Sequence, residues 1–478
     1  MTSRVIPPRL FPSSWPMIGL FVIGSLFAVS GCSSEDPSAT SGTPAAVTLN
    51  SEIRSIPLST GEADRFFAVA SATGDHYYAA GFTTIGGDTH MAVARFGSTG
   101  ELDPIFGSNG IATVNVAEGS GKTAELVRSV VVQSDGKIVV AGPVEHDTSA
   151  TGDAALDTDV AVVRFETTGQ LDQTFGTNGI TRLDLSTGTI VETRFRGDTA
   201  WGLTLLPDDS LIVVGGKLAD GSGRTDIDYA VVKLTAGGAV DRSFGMNGLA
   251  TLDIGTGNDS PRTAIVQPDQ KIVVSGHTSN AGVVTTVLFR LLPDGQFDSS
   301  FGRDGVVNVA LLPFIAEAYD VALQGDNLII AGYGRETSAG TVDIISARFL
   351  ADGTWDRTYG EEGIAVLDVA GENDRSRTLR ILPDQHVLIV GQGQPMATTQ
   401  DGVVALLTPN GQPDTRLNGN GMALIDFGGT ADALFGLTLS PDQTKAVAVG
   451  WKGVTETESS PTDNDDGRVV LLSLPPTL

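Results

Sequence analysis

Seven short apolar runs, each closed by a glycine, punctuate the chain: HYYAAG to Gly81, KIVVAG to Gly142, LIVVGG with Gly215 in the matching place, KIVVSG to Gly276, NLIIAG to Gly332, VLIVG to Gly391 and AVAVG to Gly450. Such runs are continuous and rich in β-branched residues, which suits strands buried on both faces. One stretch between markers reads as a complete unit. After FGTNG, ITRLDL alternates as a half-buried strand does, AWGLTLLPDD is a second strand running into a turn, and SLIVVGG is the third. The polar loop GKLADGSGRTDID then leads to a fourth strand, YAVVKL, and TAGGAVD carries the chain onward. The turn before the marker strand is QSDGK, LPDDS, QPDQK, LQGDN, LPDQH or SPDQT, with SATGDH in the first unit. Asp and Gly suit these hairpin turns because they supply positive φ or cap the turn's own amides. No segment keeps a helical period over three turns.

Between the markers lies a decapeptide written six times: LDPIFGSNGI from Leu102, LDQTFGTNGI from Leu171, VDRSFGMNGL from Val240, FDSSFGRDGV from Phe297, WDRTYGEEGI from Trp355 and a decayed PDTRLNGNGM from Pro413. Its aspartates, Asp103, Asp172, Asp241, Asp298, Asp356 and Asp414, are spaced by 69, 69, 57, 58 and 58 residues. Six joints between seven markers predict one repetitive domain over residues 47–478 rather than several different ones. Four antiparallel strands per unit of about 58–69 residues predict an all-β fold, a seven-bladed β-propeller. A small sheet with two apolar faces has to stack against neighbours, and a closed ring leaves few open edges. A linear β-solenoid is the alternative, but these units are long for one coil.

The decapeptide itself reads as architecture. Asp103, Asp172, Asp241, Asp298 and Asp356 are expected to cap turns through downstream amides. Phe106, Phe175, Phe244, Phe301 and Tyr359 are expected to plug the seams between sheets, and Gly107, Gly176, Gly245, Gly302 and Gly360 to adopt conformations other residues resist. A ring of catalytic or metal-binding carboxylates is the competing reading, but near-identical copies offer near-identical environments, whereas acid–base pairs need unequal ones. A basic residue recurs in the fourth strand of the unit, Arg95, Arg164, Lys233, Arg290 and Arg348, and is replaced by Leu406 in the sixth. It is expected to pair with the following joint aspartate or with carbonyls, a ring of ligand-binding guanidinium groups being the sharper alternative.

The pattern LDxxFGxxGI, then QxDGKIVVAG, then ARF and DGxLD, is similar to the delta-60 repeat family, a bacterial repeat regarded as β-propeller-like. The resemblance runs over about residues 47–474 and departs at the last joint, where Leu417 and Asn418 replace Phe and Gly. It implies a fold and a surface location, not a reaction.

Composition agrees with turn-rich β structure: 41% hydrophobic residues, 18% charged residues and 59 glycines. A formal charge of -27 argues for solubility and against nucleic acid, whose phosphates are met by Lys and Arg. Cys32 is the one cysteine, so no intramolecular disulfide forms. It follows Arg4, Arg9 and the apolar run MIGLFVIGSLFAV, Met17 to Val29, which is short for a membrane span and the right size for a secretion signal. The sequence VSGC resembles a bacterial lipobox, with Val29 in place of the usual Leu. That resemblance implies removal of residues 1–31, acylation of Cys32, a polar tether over 32–46, and membrane anchoring through the lipidated N-terminus, at the outer membrane given Ser33.

Candidate chemistry is sparse. His76, His90, His146, His277 and His386 show no ligand spacing, and His90 and His277 are expected in solvated polar loops. GxSxG, phosphate-loop and dinucleotide signatures find no proper context. No cofactor is expected. The acidic pairs DTD at Asp157, DID at Asp226 and DNDDG at Asp463 leave weak calcium sites as the alternative to solvated turns. The expected function is a non-catalytic, lipid-anchored binding or scaffolding module for a protein or glycan partner. The rivals are a glycan-active hydrolase or lyase, with unequal carboxylates and an aromatic platform such as Trp201 or Trp451 in one cleft, and a structural or adhesive surface protein.

Overall fold

A computed structural model describes residues 50–478 except 60–61, 118–124, 147–156, 192–193, 222, 370, 397, 454–465 and 475–478. Cys32, the apolar run before it, the tether and Asp463 lie outside the described residues. The chain divides after Pro44, and every described residue belongs to the part from Ala45 onward.

Among the described residues all regular structure is β, built as multiple four-stranded antiparallel sheets. The first is Asp64–Ala72, His76–Ile85, Asp88–Gly97 and Ile111–Val114, in chain order across the sheet. The same order recurs in sheets beginning at Ser129–Val132, Thr199–Leu205 and Arg375–Ile381. The units beginning at Asn258–Val266 and Ile315–Gln324 each repeat it and are joined by a single parallel bridge, Val284 to Ile315. The final sheet takes Ala433–Leu439, Lys445–Lys452 and Asp466–Ser473 from the C-terminal end and its outer strand, Asn50–Ser55, from the N-terminal end. Asn50 pairs with Ser473 and Ser55 with Arg468.

The cores lie between sheets, not within one. Tyr78, Val93 and Phe106 of the first unit pack with Val140, Val163 and Phe165 of the second, and a comparable cluster fills the space between each unit and the next. The last and first sheets are sealed in the same way by Val449, Val469, Phe66 and Phe96. Both faces of the marker strands are therefore buried, which is why they read as unbroken apolar runs.

The placement of sheet boundaries differs from the sequence reading. ITRL, Ile180–Leu183, is the outer strand of the sheet before it, paired with Thr158–Phe165, and Thr199–Leu205 opens the next sheet. The decapeptide thus links third and fourth strands of one sheet. The cause is local: Gly176, Asn178 and Gly179 have φ of 52°, 53° and 96°, a tight reversal that returns the chain along its own sheet.

Candidate functional site

The structure places each joint aspartate at the same task. Asp172 accepts hydrogen bonds from the Thr174 amide (2.9 Å) and hydroxyl (2.7 Å) through Oδ1, and from Arg164 Nε (2.7 Å) and Lys137 Nζ (2.8 Å) through Oδ2. Asp103, Asp241, Asp298 and Asp356 likewise take the amide two residues on and pair with Arg95, Lys233, Arg290 and Arg348. Burial pushes the Asp172 carboxyl up, but Lys137, Thr174 and Arg164 outweigh it and hold it well below the ordinary range.

The same arginines reach across to the neighbouring unit. Nη1 of Arg95, Arg164, Arg290 and Arg348 donates to the carbonyls of Thr167, Ala236, Ala351 and Pro409. Phe106, Phe175, Phe244, Phe301 and Tyr359 are fully buried, each beneath a glycine of the next unit: Gly169, Gly238, Gly295, Gly353 and Gly411. The amides of Gly107, Gly176, Gly245, Gly302 and Gly360 bond to carbonyls of that same next turn at 2.7–2.9 Å. In the sixth copy Asp414 pairs instead with Arg416 and His386, and Asn418 keeps a φ of 50°, its Nδ2 donating to Met422 O.

A second constellation occupies the innermost strands. Their pairing slips between Phe66/Ala68, Ala200/Gly202, Pro261/Ala264, Ala318/Asp320, Ser376/Thr378 and Leu434/Gly436. The bulges release Phe67, Trp201, Arg262, Tyr319, Arg377 and Phe435, with Arg128 in the corresponding place before Ser129–Val132. Marker glycines accommodate the bulges: a Cβ on Gly81, Gly215, Gly332 or Gly450 would lie 1.7–1.9 Å from the carbonyl oxygen of the residue two before the released one. No other side chain permits that approach.

The released side chains form a circuit in which aromatic rings and guanidinium groups alternate. Arg128 lies 4.6 Å from the centre of Phe67 and 4.4 Å from Trp201; Arg262 lies 4.3 Å from Trp201 and 4.2 Å from Tyr319; Arg377 lies 4.8 Å from both Tyr319 and Phe435. Phe435 and Phe67 meet edge to face at 5.2 Å and complete it. Beyond the circuit a cavity of about 520 Å³ runs along the inner strands, past the small residues Ala68, Ser129, Ala264 and Gly436. Its lining holds four guanidinium groups, Arg128, Arg262, Arg377 and Arg380, and one carboxylate, Asp320. Asp320 is itself engaged by the Val321 and Leu379 amides and by Arg380 at 3.2 Å. Among the described residues the lining holds no second carboxylate to form the unequal pair of a glycan hydrolase. Trp201 borders the cavity, whereas Trp451 is buried against Phe67 and Phe435 with Arg65 over it.

His277 is not in a solvated loop. It lies in the strand Ile272–Asn280, buried beside Tyr319, with Nε2 3.4 Å from Glu317; burial and then Arg262 depress its pKa well below the usual value, so it is neutral. His90 also lies in a strand, Asp88–Gly97, 3.2 Å from Asn115 Nδ2. Both runs combine polar and apolar residues, and the polar ones suggested loops.

At the start of the inner strands stands a column of acids that sequence reading passed over. Asp64, Asp259, Asp374 and Asp432 accept the amides of Leu58, Ile254, Val369 and Phe427 in the connection from the preceding outer strand, and Asp198 those of Leu185 and Ser186. Desolvation raises Asp64, Asp198 and Asp374 to about 6 and Asp259 and Glu125 to about 7. Of the acids flagged for calcium, Asp226 and Asp228 gather with Asp253, whereas Asp159 gathers with His146 and Asp184 and leaves Asp157 aside. Arginine already serves both groups, Arg224 pairing with Asp226, Asp228 and Asp253, and Arg182 with Asp159.

A family model described as a domain of unknown function (DUF5122) beta-propeller matches residues 133–175 and 267–301, which supports a propeller-like repeat. No curated protein matches the sequence. Among solved structures, the polysaccharide lyase Uly1 aligns with a TM-score of 0.48 at 12% identity, over 86% of this chain and 90% of that one. Sqt1 from Chaetomium thermophilum aligns with a TM-score of 0.42 at 13% identity, over 90% and 99%. The alpha-L-arabinofuranosidase Arb93A from Fusarium graminearum aligns at 0.40 and 10% identity, over 71% and 91%. These likenesses assign no activity to this chain.

Proposed function

We propose that the chain is a seven-bladed β-propeller, closed by its N-terminal strand and anchored through acylated Cys32 to the bacterial outer membrane, that works as a binding module for a protein or glycan partner. Support for the ring comes from the inner strands, each packed against the next, with the strand at Ala433–Leu439 against that at Asp64–Ala72. The observation that carries the binding reading is the cavity above the aromatic–guanidinium circuit. Its walls are largely aliphatic, its floor is cross-braced, and among the described residues its lining carries one carboxylate. A cavity with few, oriented polar groups in a rigid scaffold is the usual form of a ligand site.

The module reading is tested by capturing partners from glycan and protein mixtures on the full chain and on Ala322→Trp, which fills the cavity wall. Capture by the first and loss in the second is the expected result; equal capture by both places the binding surface elsewhere. The anchor is tested separately: Cys32→Ser should move the protein out of the membrane fraction, and unchanged sedimentation with membranes refutes it.

A further inference from the structure

The circuit consumes the faces of its own members. Trp201 is flanked by Arg128 and Arg262, and Tyr319 by Arg262 and Arg377, at centre distances of 4.2–4.8 Å. An aromatic ring is electron-rich on its faces and positive at its edge. With the faces turned to guanidinium neighbours, what remains toward the axis is the positive rim: C–H edges from the aromatics and N–H edges from the arginines. A sugar ring thus finds no open face of Trp201 or Tyr319 to stack on, whereas an anion meets positive edges there. Arg262 adds a specific donor: Nη1 is used by Pro261 O and Nη2 by Tyr319 Oη, but the buried Nε has no hydrogen-bond partner among the described residues. Buried polar groups of this kind ordinarily have one.

We infer that the cavity above the circuit is a seat for a compact oxyanion group, carboxylate or sulfate, carried free or on a glycan. The inference rests on the reading of the cavity as the binding site and names what that site takes. The setting favours selectivity: the molecule as a whole carries a formal charge of -27, so anions are repelled generally, and four guanidinium groups against one carboxylate line this one cavity. Arginines braced by stacking have lost little freedom still to be lost on binding, which is the condition for a charge-assisted hydrogen bond to give net affinity.

The test is calorimetric titration of the full-length protein in detergent with sodium sulfate and with glucuronate, against sodium chloride at matched ionic strength and glucose as a neutral control. Sulfate and glucuronate are expected to saturate, and glucose to give no heat. Arg262→Gln should weaken both by about 10- to 100-fold, the loss of one charge-assisted hydrogen bond. Ala322→Asp, which sets a carboxylate on the cavity wall and leaves the circuit intact, should weaken them comparably, so the result does not depend on Arg262→Gln folding. Tighter glucuronate than sulfate marks a glycan-borne group, and the reverse a free ion. Sulfate and glucuronate heats that match chloride overturn the inference, as does unchanged affinity in either folded variant. If captured partners still depend on an unfilled cavity in that case, the module reading stands while the oxyanion falls.

Discussion

Phe175→Ala removes a fully buried ring from the seam between the second and third sheets, and the structure sets the size and partner of the effect. A buried Phe→Ala change costs about 3–5 kcal/mol where surroundings cannot collapse. Here they are held by the Gly176–Gly237 backbone bond at 2.9 Å, and Arg164 loses the ring it covers at 4.7 Å, a contribution of ~0.5–1 kcal/mol. The reciprocal change is Gly238→Ala. Its Cβ would lie 2.7–2.8 Å from the Phe175 ring, and its φ of 87° strains any side chain. The strain costs about 1–2 kcal/mol and the overlap about 1–3. Only the overlap disappears once the ring is gone. Melting of wild type, both single variants and the double variant by circular dichroism should therefore show the double variant less damaged than the singles predict, by about 1–3 kcal/mol. Strict additivity refutes the ring-under-glycine seam, and an unchanged Phe175→Ala midpoint refutes the packing role altogether.

Stability should also depend on pH in an unusual direction. Asp64, Asp198 and Asp374 hold protons to about pH 6, and Asp259 and Glu125 to about pH 7, whereas in the unfolded chain they ionise near the ordinary 3.8 of Asp and 4.5 of Glu. The folded state binds more protons between those limits, so its stability is greater at the acid end and falls as pH rises through 6 to 7, by on the order of 1 kcal/mol for each carboxyl after solvent screening. A melting temperature at pH 8 equal to or above that at pH 5 contradicts this. Asp172 and Asp298 act oppositely, losing their contribution as acid protonates them. Deleting residues 50–55 strips the outer strand from the last sheet and exposes Arg468–Ser473; the whole transition, not a minor phase, should move to lower temperature. A deletion variant that melts like the parent removes the closing role of that strand.

Repeats were legible because they are redundant. Seven marker strands and six joints carry the same residues, so Asp172 with its copies and Phe175 with its copies could be read as turn caps and seam residues from spacing alone. The boundary of the sheet was not. ITRLDL is an acceptable edge strand for either neighbour, and the decision is made by positive φ at Gly176, Asn178 and Gly179. The circuit was hidden for the opposite reason. Phe67, Arg128, Trp201, Arg262, Tyr319, Arg377 and Phe435 hold one structural position with different residue types, so a search for what recurs averages them away. The signal was available in the marker glycines. Each allows a close carbonyl approach from the segment before it, and the inward residue follows that carbonyl by two positions at Phe67, Arg128, Trp201, Tyr319 and Phe435.

The outer strand Asn50–Ser55 has a consequence for the order of events during synthesis. It emerges ahead of all the other described strands, yet its partner, Asp466–Ser473, is made more than 400 residues later. Until then its backbone donors and acceptors have no native strand to meet, while the sheets between can already form and stack. The earliest described strand is therefore the last to find its partner, and any factor that holds the N-terminal end of the chain also holds one half of the clasp.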